Sequence, residues 1–140
     1  LTSRTITLPG GMRMRVREGG EGGTTTLFLH GWAVPGAVWD PVLERWPARA
    51  GRVLVPDLRG TGWSSKPREG YALADDVGDV VALIDALELR GVVLVGHSKG
   101  GVIAQRVALE RPQALRRLVL VSPVPASGLS TEARRPAAPV

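Results

Sequence analysis

The sequence contains no cysteine among its 140 residues. This absence excludes a disulfide framework, a zinc site with cysteine ligands and a cysteine nucleophile. Lysine is almost as scarce, because Lys66 and Lys99 are the two lysines among 18 basic residues and the others are arginine. A chain without cysteine suits a reducing compartment, and we expect a cytoplasmic protein.

Long apolar runs are also missing. The apolar runs, such as Val92 to Val95 and Leu118 to Val121, are short, whereas a membrane-spanning helix needs about 20 apolar residues. The first residues, Leu1 to Arg4, lack the apolar core of a secretory signal, and the sequence begins without an initiator methionine. We therefore expect no association with a membrane.

Aromatic residues make up 4% of the chain, and the basic residues are scattered although the net charge is +5. The closest basic pairs are Arg116-Arg117 and Arg134-Arg135, and no long basic run occurs. Nucleic-acid binding normally requires a concentrated basic surface, so no nucleic-acid partner is expected. The sequence also has no cluster of metal ligands and no phosphate loop ending in Gly-Lys-Ser/Thr, so neither a metal nor a cofactor is expected.

The hydrophobic pattern is typical of a single α/β domain. Residues 5–8 and 12–17 flank Pro9-Gly10-Gly11, and the second segment alternates apolar residues with arginine, which predicts an antiparallel hairpin. The segments that follow alternate between short apolar strands and helices. This order predicts a mostly parallel sheet with an N-terminal antiparallel hairpin and helices on both faces. The strands predicted after the hairpin are 25–29, 53–55, 92–95 and 118–121.

Three segments have the period of a helix. The longest, from Leu73 to Leu87, has one apolar stripe, and aspartates in its first turns are placed to complement the helix dipole. Another ends near Pro112. The first helix is predicted from Val38, Trp39, Val42, Leu43 and Trp46, and the aspartates of the longest are Asp75, Asp76 and Asp79.

The segment Gly96-His97-Ser98-Lys99-Gly100-Gly101 joins a predicted buried strand directly to a helix. In a G-x-S-x-G turn of this kind, the serine is held in a strained conformation at the C-terminal edge of the sheet. Side chains at Gly96 and Gly100 would collide with neighbouring backbone, and the helix N-terminus offers unpaired N–H groups to a developing negative charge. Ser98 is therefore the candidate nucleophile; an incidental serine in a tight turn is the alternative.

Two further segments accompany this turn. His30-Gly31-Trp32 follows the strand 25–29, and the loop Asp57 to Ser64, DLRGTGWS, follows the strand 53–55. In the order and spacing of these three motifs, residues 4–125 resemble the α/β-hydrolase family. The resemblance implies an α/β-hydrolase core in residues 1–125, truncated after the strand 118–121, and an irregular proline-rich tail at 126–140.

The resemblance also implies a reaction, the hydrolysis of an ester-like small molecule through an acyl-enzyme. Ser98 would be the nucleophile, and the backbone N–H groups of Trp32 and Lys99 would form the oxyanion hole. The side chain of Lys99 has two alternatives, contact with substrate or with solvent, and solvent is the favoured expectation. The residues expected to bind substrate around this centre are His30, Gly31, Trp63 and His97.

Other residues in and between the motifs are expected to be structural. Asp57 and Arg59 would brace their loop, and Trp39 and Trp46 would pack in the core because they share a helical stripe. Trp32 and Trp63 lie on loops beside Ser98, which suits an apolar substrate pocket. His97 is not expected to act as the base for Ser98, because adjacent residues at a sharp turn point apart.

No histidine follows Ser98, and the carboxylates after it, Glu110 and Glu132, do not follow predicted strands. A serine is a weak nucleophile until a base accepts its proton, so we expect little activity from these residues alone. Three interpretations stay open: a hydrolase fragment, a non-catalytic binding module of the same fold, and one part of an assembly completed by another chain. The apolar strand 118–121 would be an exposed sheet edge, through which we expect self-association.

Overall fold

The computed structural model describes residues 1–123 of the chain, and their six strands form one mixed sheet. The strands are β1 (Thr2–Thr7), β2 (Arg13–Gly19), β3 (Thr26–Leu29), β4 (Val53–Pro56), β5 (Val92–His97) and β6 (Leu115–Val121). The order across the sheet is β1-β2-β4-β3-β5-β6; β2 is antiparallel to both of its neighbours, and the other neighbouring strands are parallel. The predicted fold class is confirmed, whereas the predicted tail at 126–140 lies outside the described residues.

The hairpin of β1 and β2 lies where the alternating pattern placed it. Its turn, Pro9–Gly11, brings Gly10 and Gly11 to φ values of 81° and 83°, a left-handed conformation that glycine adopts without steric strain. On β2, Met14 and Val16 are fully buried while the arginines beside them are less so. The period of two in the sequence therefore reports the two faces of this strand correctly.

The sheet is covered on both faces, which β3 shows most clearly. Leu27 and Leu29 point to the face covered by α2 (Leu73–Ala86) and α3 (Lys99–Glu110). Phe28 points to the other face, where its ring centroid lies 5.0 Å from that of Trp39 and 5.2 Å from that of Trp46. Both tryptophans pack against the sheet, as predicted.

The first predicted helix is shorter than its apolar pattern indicated. Gly36–Trp39 forms a 3₁₀ turn, and α1 (Asp40–Leu43) adds a single turn of α-helix. Val38 and Val42 are 43% and 42% exposed, so part of the predicted stripe faces outward. The prediction of one helix reaching Trp46 is wrong, because the residue before a proline disfavours the helical conformation and Pro47 follows directly. No helix in residues 1–123 is long and apolar enough to cross a bilayer.

β6 forms one edge of the described sheet, paired with β5 on one side. Its successive apolar residues, Leu118, Val119, Leu120 and Val121, are between 36% and 40% exposed. Apolar residues at consecutive positions are typical of interior strands whose two faces are covered. Within residues 1–123 this strand therefore has the sequence of an interior strand in the position of an edge strand.

Candidate functional site

Ser98 occupies the junction between β5 and α3. Its backbone has φ 52° and ψ −118°, a conformation that a residue with a Cβ adopts at a cost of about 1–3 kcal/mol. The turn is held because the Ser98 N–H donates to the carbonyl of Val121, at 3.1 Å, and the Ser98 carbonyl accepts from Gly101 N–H, at 2.9 Å. The side chain is half-buried. The strain predicted for a sharp strand-to-helix turn is therefore present at the predicted residue.

The glycines on either side of Ser98 allow this turn to form. A Cβ on Gly96 would lie 2.7 Å from the backbone of Gly101, and a Cβ on Gly100 would lie 2.6 Å from the carbonyl oxygen of His30. Real Cβ contacts are essentially never shorter than 3.0 Å, and these partners are backbone atoms that cannot turn aside. The collisions expected from the sequence are confirmed.

The turn after β3 lies directly against the Ser98 turn. β3 and β5 pair in parallel with Leu29 beside Gly96, and a Cβ on Gly31 would lie 3.4 Å from the Cβ of Ser98. Within residues 1–123, neither the Trp32 N–H nor the Lys99 N–H donates a hydrogen bond. The turn that contains Trp32 thus packs against the strained serine, and both N–H groups lack a hydrogen-bond partner within these residues, as donors to a developing negative charge would require.

His30 was expected to bind substrate, and this expectation is wrong because its side chain is completely buried. Nε2 accepts a hydrogen bond from Leu58 N–H at 2.9 Å, so the ring proton is on Nδ1, which donates to the carbonyl of Gly31 at 2.8 Å. Burial lowers the pKa of His30 below its ordinary value of 6.5. The residue is a neutral link between the turns after β3 and β4.

The buried neutral His30 predicts that stability decreases in mild acid. Between its lowered pKa and 6.5, the unfolded chain binds more protons than the folded chain, so the free energy of unfolding rises with pH in this window and levels off above it. We expect His30→Gln to lack this part of the pH dependence. Urea unfolding of both proteins from about pH 5 to pH 7.5 measures it; equal slopes would show that His30 does not titrate in this way.

Asp57 organises the loop after β4. Its buried carboxylate accepts hydrogen bonds from Gly36 N–H at 2.8 Å and Trp63 N–H at 3.0 Å, and Arg15 Nη1 lies 3.4 Å from Oδ2. Gly62, at φ 48°, passes so close to this carboxylate that no side chain fits there. Asp57 thus has the structural role that the sequence indicated, because its carboxylate binds backbone and side-chain donors of the protein itself.

The other residues expected to bind substrate differ in exposure. Trp32 and Trp63 are 80% and 81% exposed, so neither is a packing residue within residues 1–123. The ring of His97 lies against Gly31, and its centroid is 6.3 Å from that of Trp39 in an edge-to-face arrangement. Their roles toward a substrate remain predictions.

The side chain of Lys99 does not extend into solvent, so that expectation is wrong. It is 25% exposed, and its Nζ lies 2.6 Å from Oδ2 of Asp76, a carboxylate with no exposed surface. Burial raises the pKa of Asp76, and Lys99 partly offsets this effect. Asp79 is also buried and forms two hydrogen bonds of 2.7 Å with Arg59, which raise the pKa of Arg59.

These buried aspartates were read from the sequence as charges that complement the helix dipole. A signal for their burial was present. Asp76 lies three residues after Leu73 and four residues before Val80, so it belongs to the apolar stripe of α2 itself. Asp75 caps the N-terminus of the helix, because its Oδ2 accepts from the N–H of Ala72 at 2.9 Å.

Neither histidine forms a hydrogen bond with Ser98 within residues 1–123. His30 is committed to Leu58 and Gly31, and the His97 ring packs against Gly31 and Trp39. Glu110 is the last residue of α3, the end opposite Ser98. In the described part of the chain, no group of three or more His, Asp or Glu side chains is arranged to hold a metal ion.

The sequence matches the family described as alpha/beta hydrolase fold over residues 25–139. A non-heme chloroperoxidase from Streptomyces lividans is 37% identical over 123 residues, which cover 86% of this chain and 45% of that protein. Among solved structures, an esterase from Exiguobacterium antarcticum has a TM-score of 0.81 at 28% identity, over 87% of this chain and 46% of the esterase. An epoxide hydrolase from Vigna radiata has a TM-score of 0.80 at 36% identity, over 86% of this chain and 39% of that protein.

The chain spans less than half the length of these three relatives. The family match nevertheless covers well over half of this chain, and it includes the turn after β3, the loop after β4 and the Ser98 turn. The resemblance seen in three short motifs is thus confirmed at the level of sequence and of fold, and the chain belongs to the α/β-hydrolase fold family.

Proposed function

We propose that this chain carries the nucleophile half of a serine hydrolase that acts on an ester-like carbonyl through an acyl-enzyme. Ser98 Oγ would attack the carbonyl carbon, and the N–H groups of Trp32 and Lys99 would hold the resulting oxyanion. The observation that carries this proposal is the strained Ser98 backbone at the β5–α3 junction, beside two N–H groups without partners in residues 1–123.

The chemistry of a serine nucleophile favours a carbonyl substrate. Relatives of this chain include proteins named for epoxides, whose reacting carbon is saturated. Attack by a serine hydroxyl on a saturated carbon forms an ether, which water does not cleave, whereas attack on an ester forms an acyl-serine that water can resolve. Turnover through Ser98 therefore requires an acyl group, and an ester, thioester or activated amide meets this requirement.

We further propose that the base and the acid come from outside these 140 residues, since neither histidine forms a hydrogen bond with Ser98 within residues 1–123 and neither carboxylate after Ser98, Glu110 or Glu132, follows a predicted strand. β6 is the sheet edge at which such a segment or a partner chain would join. Four of its apolar residues are between 36% and 40% exposed within residues 1–123. Without a base, ester turnover is expected to fall to the level that the oxyanion hole and binding alone sustain, about 10³–10⁴ over water in a well-formed site.

A non-catalytic binding module is the second candidate. The observation in its favour is that no histidine follows Ser98 in the sequence. The two candidates differ in one property that does not require a base: a hydrolase site stabilises a tetrahedral anion on Ser98, whereas a binding module has no reason to preserve this geometry.

A boronic acid tests this property directly. We expect benzeneboronic acid to form a tetrahedral adduct in which a bond joins boron to Ser98 Oγ, the hydroxyl proton passes to solvent, and the anionic adduct is held by the two amides. The measurement is the ¹¹B resonance of the adduct together with shifts of the Trp32 and Lys99 amide resonances in ¹⁵N-labelled protein. Ser98→Ala should abolish the ¹¹B resonance of the adduct and the shifts of the two amide resonances.

Ser3 provides a matched control, because it is an exposed serine on β1. Ser3→Ala should leave adduct formation unchanged. An adduct that survives Ser98→Ala, or no adduct at all, would contradict the hydrolase proposal and favour the binding module.

A further inference from the structure

The first turns of α2 bind two cations of the site, one at the start of α3 and one in the loop after β4. Asp76 has no exposed surface, and Lys99 Nζ lies 2.6 Å from its Oδ2. One turn further along the helix, Asp79 binds Arg59 of the loop after β4 through two bonds of 2.7 Å. α2 is thus attached to the Ser98 turn at one point and to the neighbouring loop at another.

The Asp76–Lys99 pair lies at the margin of the interior, because Asp76 has no exposed surface while Lys99 is 25% exposed. Within residues 1–123, neither carboxylate oxygen of Asp76 accepts a hydrogen bond of normal geometry, so the ammonium of Lys99 is its closest compensation. Removing one member of a buried ion pair leaves the other charged in a low-dielectric interior, which is strongly unfavourable. The carboxylate therefore restrains where the side chain of Lys99 can be.

The position of Lys99 in the chain makes this restraint relevant to the site. Lys99 is the first residue of α3 and directly follows the strained Ser98, and its N–H is one of the two proposed oxyanion donors. A tether on this side chain limits rotation of the peptide that joins Ser98 to Lys99. Lysine places a compact ammonium at Asp76, and it does so in a chain that uses arginine at nearly all its other basic positions.

We propose that Asp76 is a positioning residue that, by holding the Lys99 ammonium, keeps the Lys99 N–H directed at the tetrahedral anion formed on Ser98. This inference rests on the proposed function. It adds a residue that none of the sequence motifs contains, and one that acts from the adjacent helix without touching the substrate.

The test uses benzeneboronic acid as the probe and measures its dissociation constant and the amide resonances of residues 32 and 99. The decisive variant is Asp76→Asn combined with Lys99→Met, because replacing both members leaves no unpaired buried charge and is expected to retain the fold. We expect this variant to bind the boronate at least about tenfold more weakly, since loss of one oxyanion donor can cost 10²–10³ in rate. The residue 99 amide should respond less to the adduct, while the Trp32 amide still shifts.

Lys99→Arg is the second variant, because it keeps the charge but changes its position, and it should also weaken binding. Asp85→Asn is the matched control: Asp85 lies on the same helix in an exposed pair with Arg111, at 3.2 Å, and its loss should not change boronate affinity. Wild-type affinity in the folded double variant would overturn the positioning role, and Lys99→Arg decides in the same way if the double variant does not fold. Failure of the proposed function is a different result, namely no Ser98-dependent adduct in the wild-type chain.

Discussion

Gly100→Ala is expected to destabilise the protein by about 3 kcal/mol or more, at the upper end of what one added methyl group costs in a packed interior. The new Cβ would lie 2.6 Å from the His30 carbonyl oxygen and 2.7 Å from the Leu29 carbonyl carbon. Both atoms belong to the backbone of β3 and its turn, so α3 can accommodate the methyl group only by moving away from the sheet. Urea unfolding gives the change in stability, and boronate binding should be lost with it.

Gly78 is the control for this prediction, because it lies inside α2 and a Cβ there would meet no atom within 4 Å. Gly78→Ala should stabilise the protein by about 0.5–1 kcal/mol, since alanine is the better helix former. The same substitution thus has opposite signs at two positions. A Gly100→Ala protein as stable as the wild type would mean that the Ser98 turn is not closely packed against β3.

Asp57→Ala is expected to cost about 3–5 kcal/mol of stability. The substitution leaves the N–H groups of Gly36 and Trp63 without an acceptor, and the guanidinium of Arg15 without its carboxylate, in a part of the fold where Asp57 is 1% exposed. Asp57→Asn keeps the volume and one carbonyl oxygen, so an intermediate loss is expected. Thermal or urea unfolding compares the three proteins.

An exposed aspartate shows whether burial causes this effect. Asp85→Ala removes a carboxylate that is 50% exposed and paired with Arg111, and such pairs contribute about 0–1 kcal/mol. Similar losses in Asp57→Ala and Asp85→Ala would show that the hydrogen bonds of Asp57 do not hold the loop. A large loss in Asp57→Ala alone would support its role as the organiser of the loop after β4.

Much of the site could be predicted because its signals are local. The strand, the turn and the helix around Ser98 are contiguous in sequence, and Gly96 and Gly100 stand where a side chain would strike neighbouring backbone. The turn after β3 was expected near Ser98 because parallel strands end at the same edge of a sheet. Local residue types and one rule of topology were sufficient for these conclusions.

The errors concern side chains whose environment comes from distant elements. Lys99 was expected in solvent, yet it contacts Asp76 of α2, and His30 was expected at a substrate, yet it accepts a bond from Leu58. In both cases the partner belongs to another loop or helix, and the packing of that element decides which side chains are covered. The sequence pattern around each residue contains no record of that packing.

The secondary structure, too, was predicted correctly where the signal is local to one element. The period of two in the hairpin and the apolar stripe of α2 predicted those elements because each pattern reports its own element. In the first helix the apolar spacing indicates a longer element than the structure has, since α1 ends at Leu43 and Trp46, which precedes Pro47, lies outside it.

By itself, the sequence determined the order of strands and helices, the strained serine between two glycines and the absence of any histidine after it. These properties depend on neighbouring residues and on composition. Only the tertiary structure decided that Asp76 and Asp79 of α2 pair with Lys99 and Arg59, that His30 is a neutral internal link, and that the N–H groups of Trp32 and Lys99 have no hydrogen-bond partner within residues 1–123. The reason is that burial and hydrogen bonding are properties of pairs of elements, and the pairs are formed when the helices pack onto the sheet.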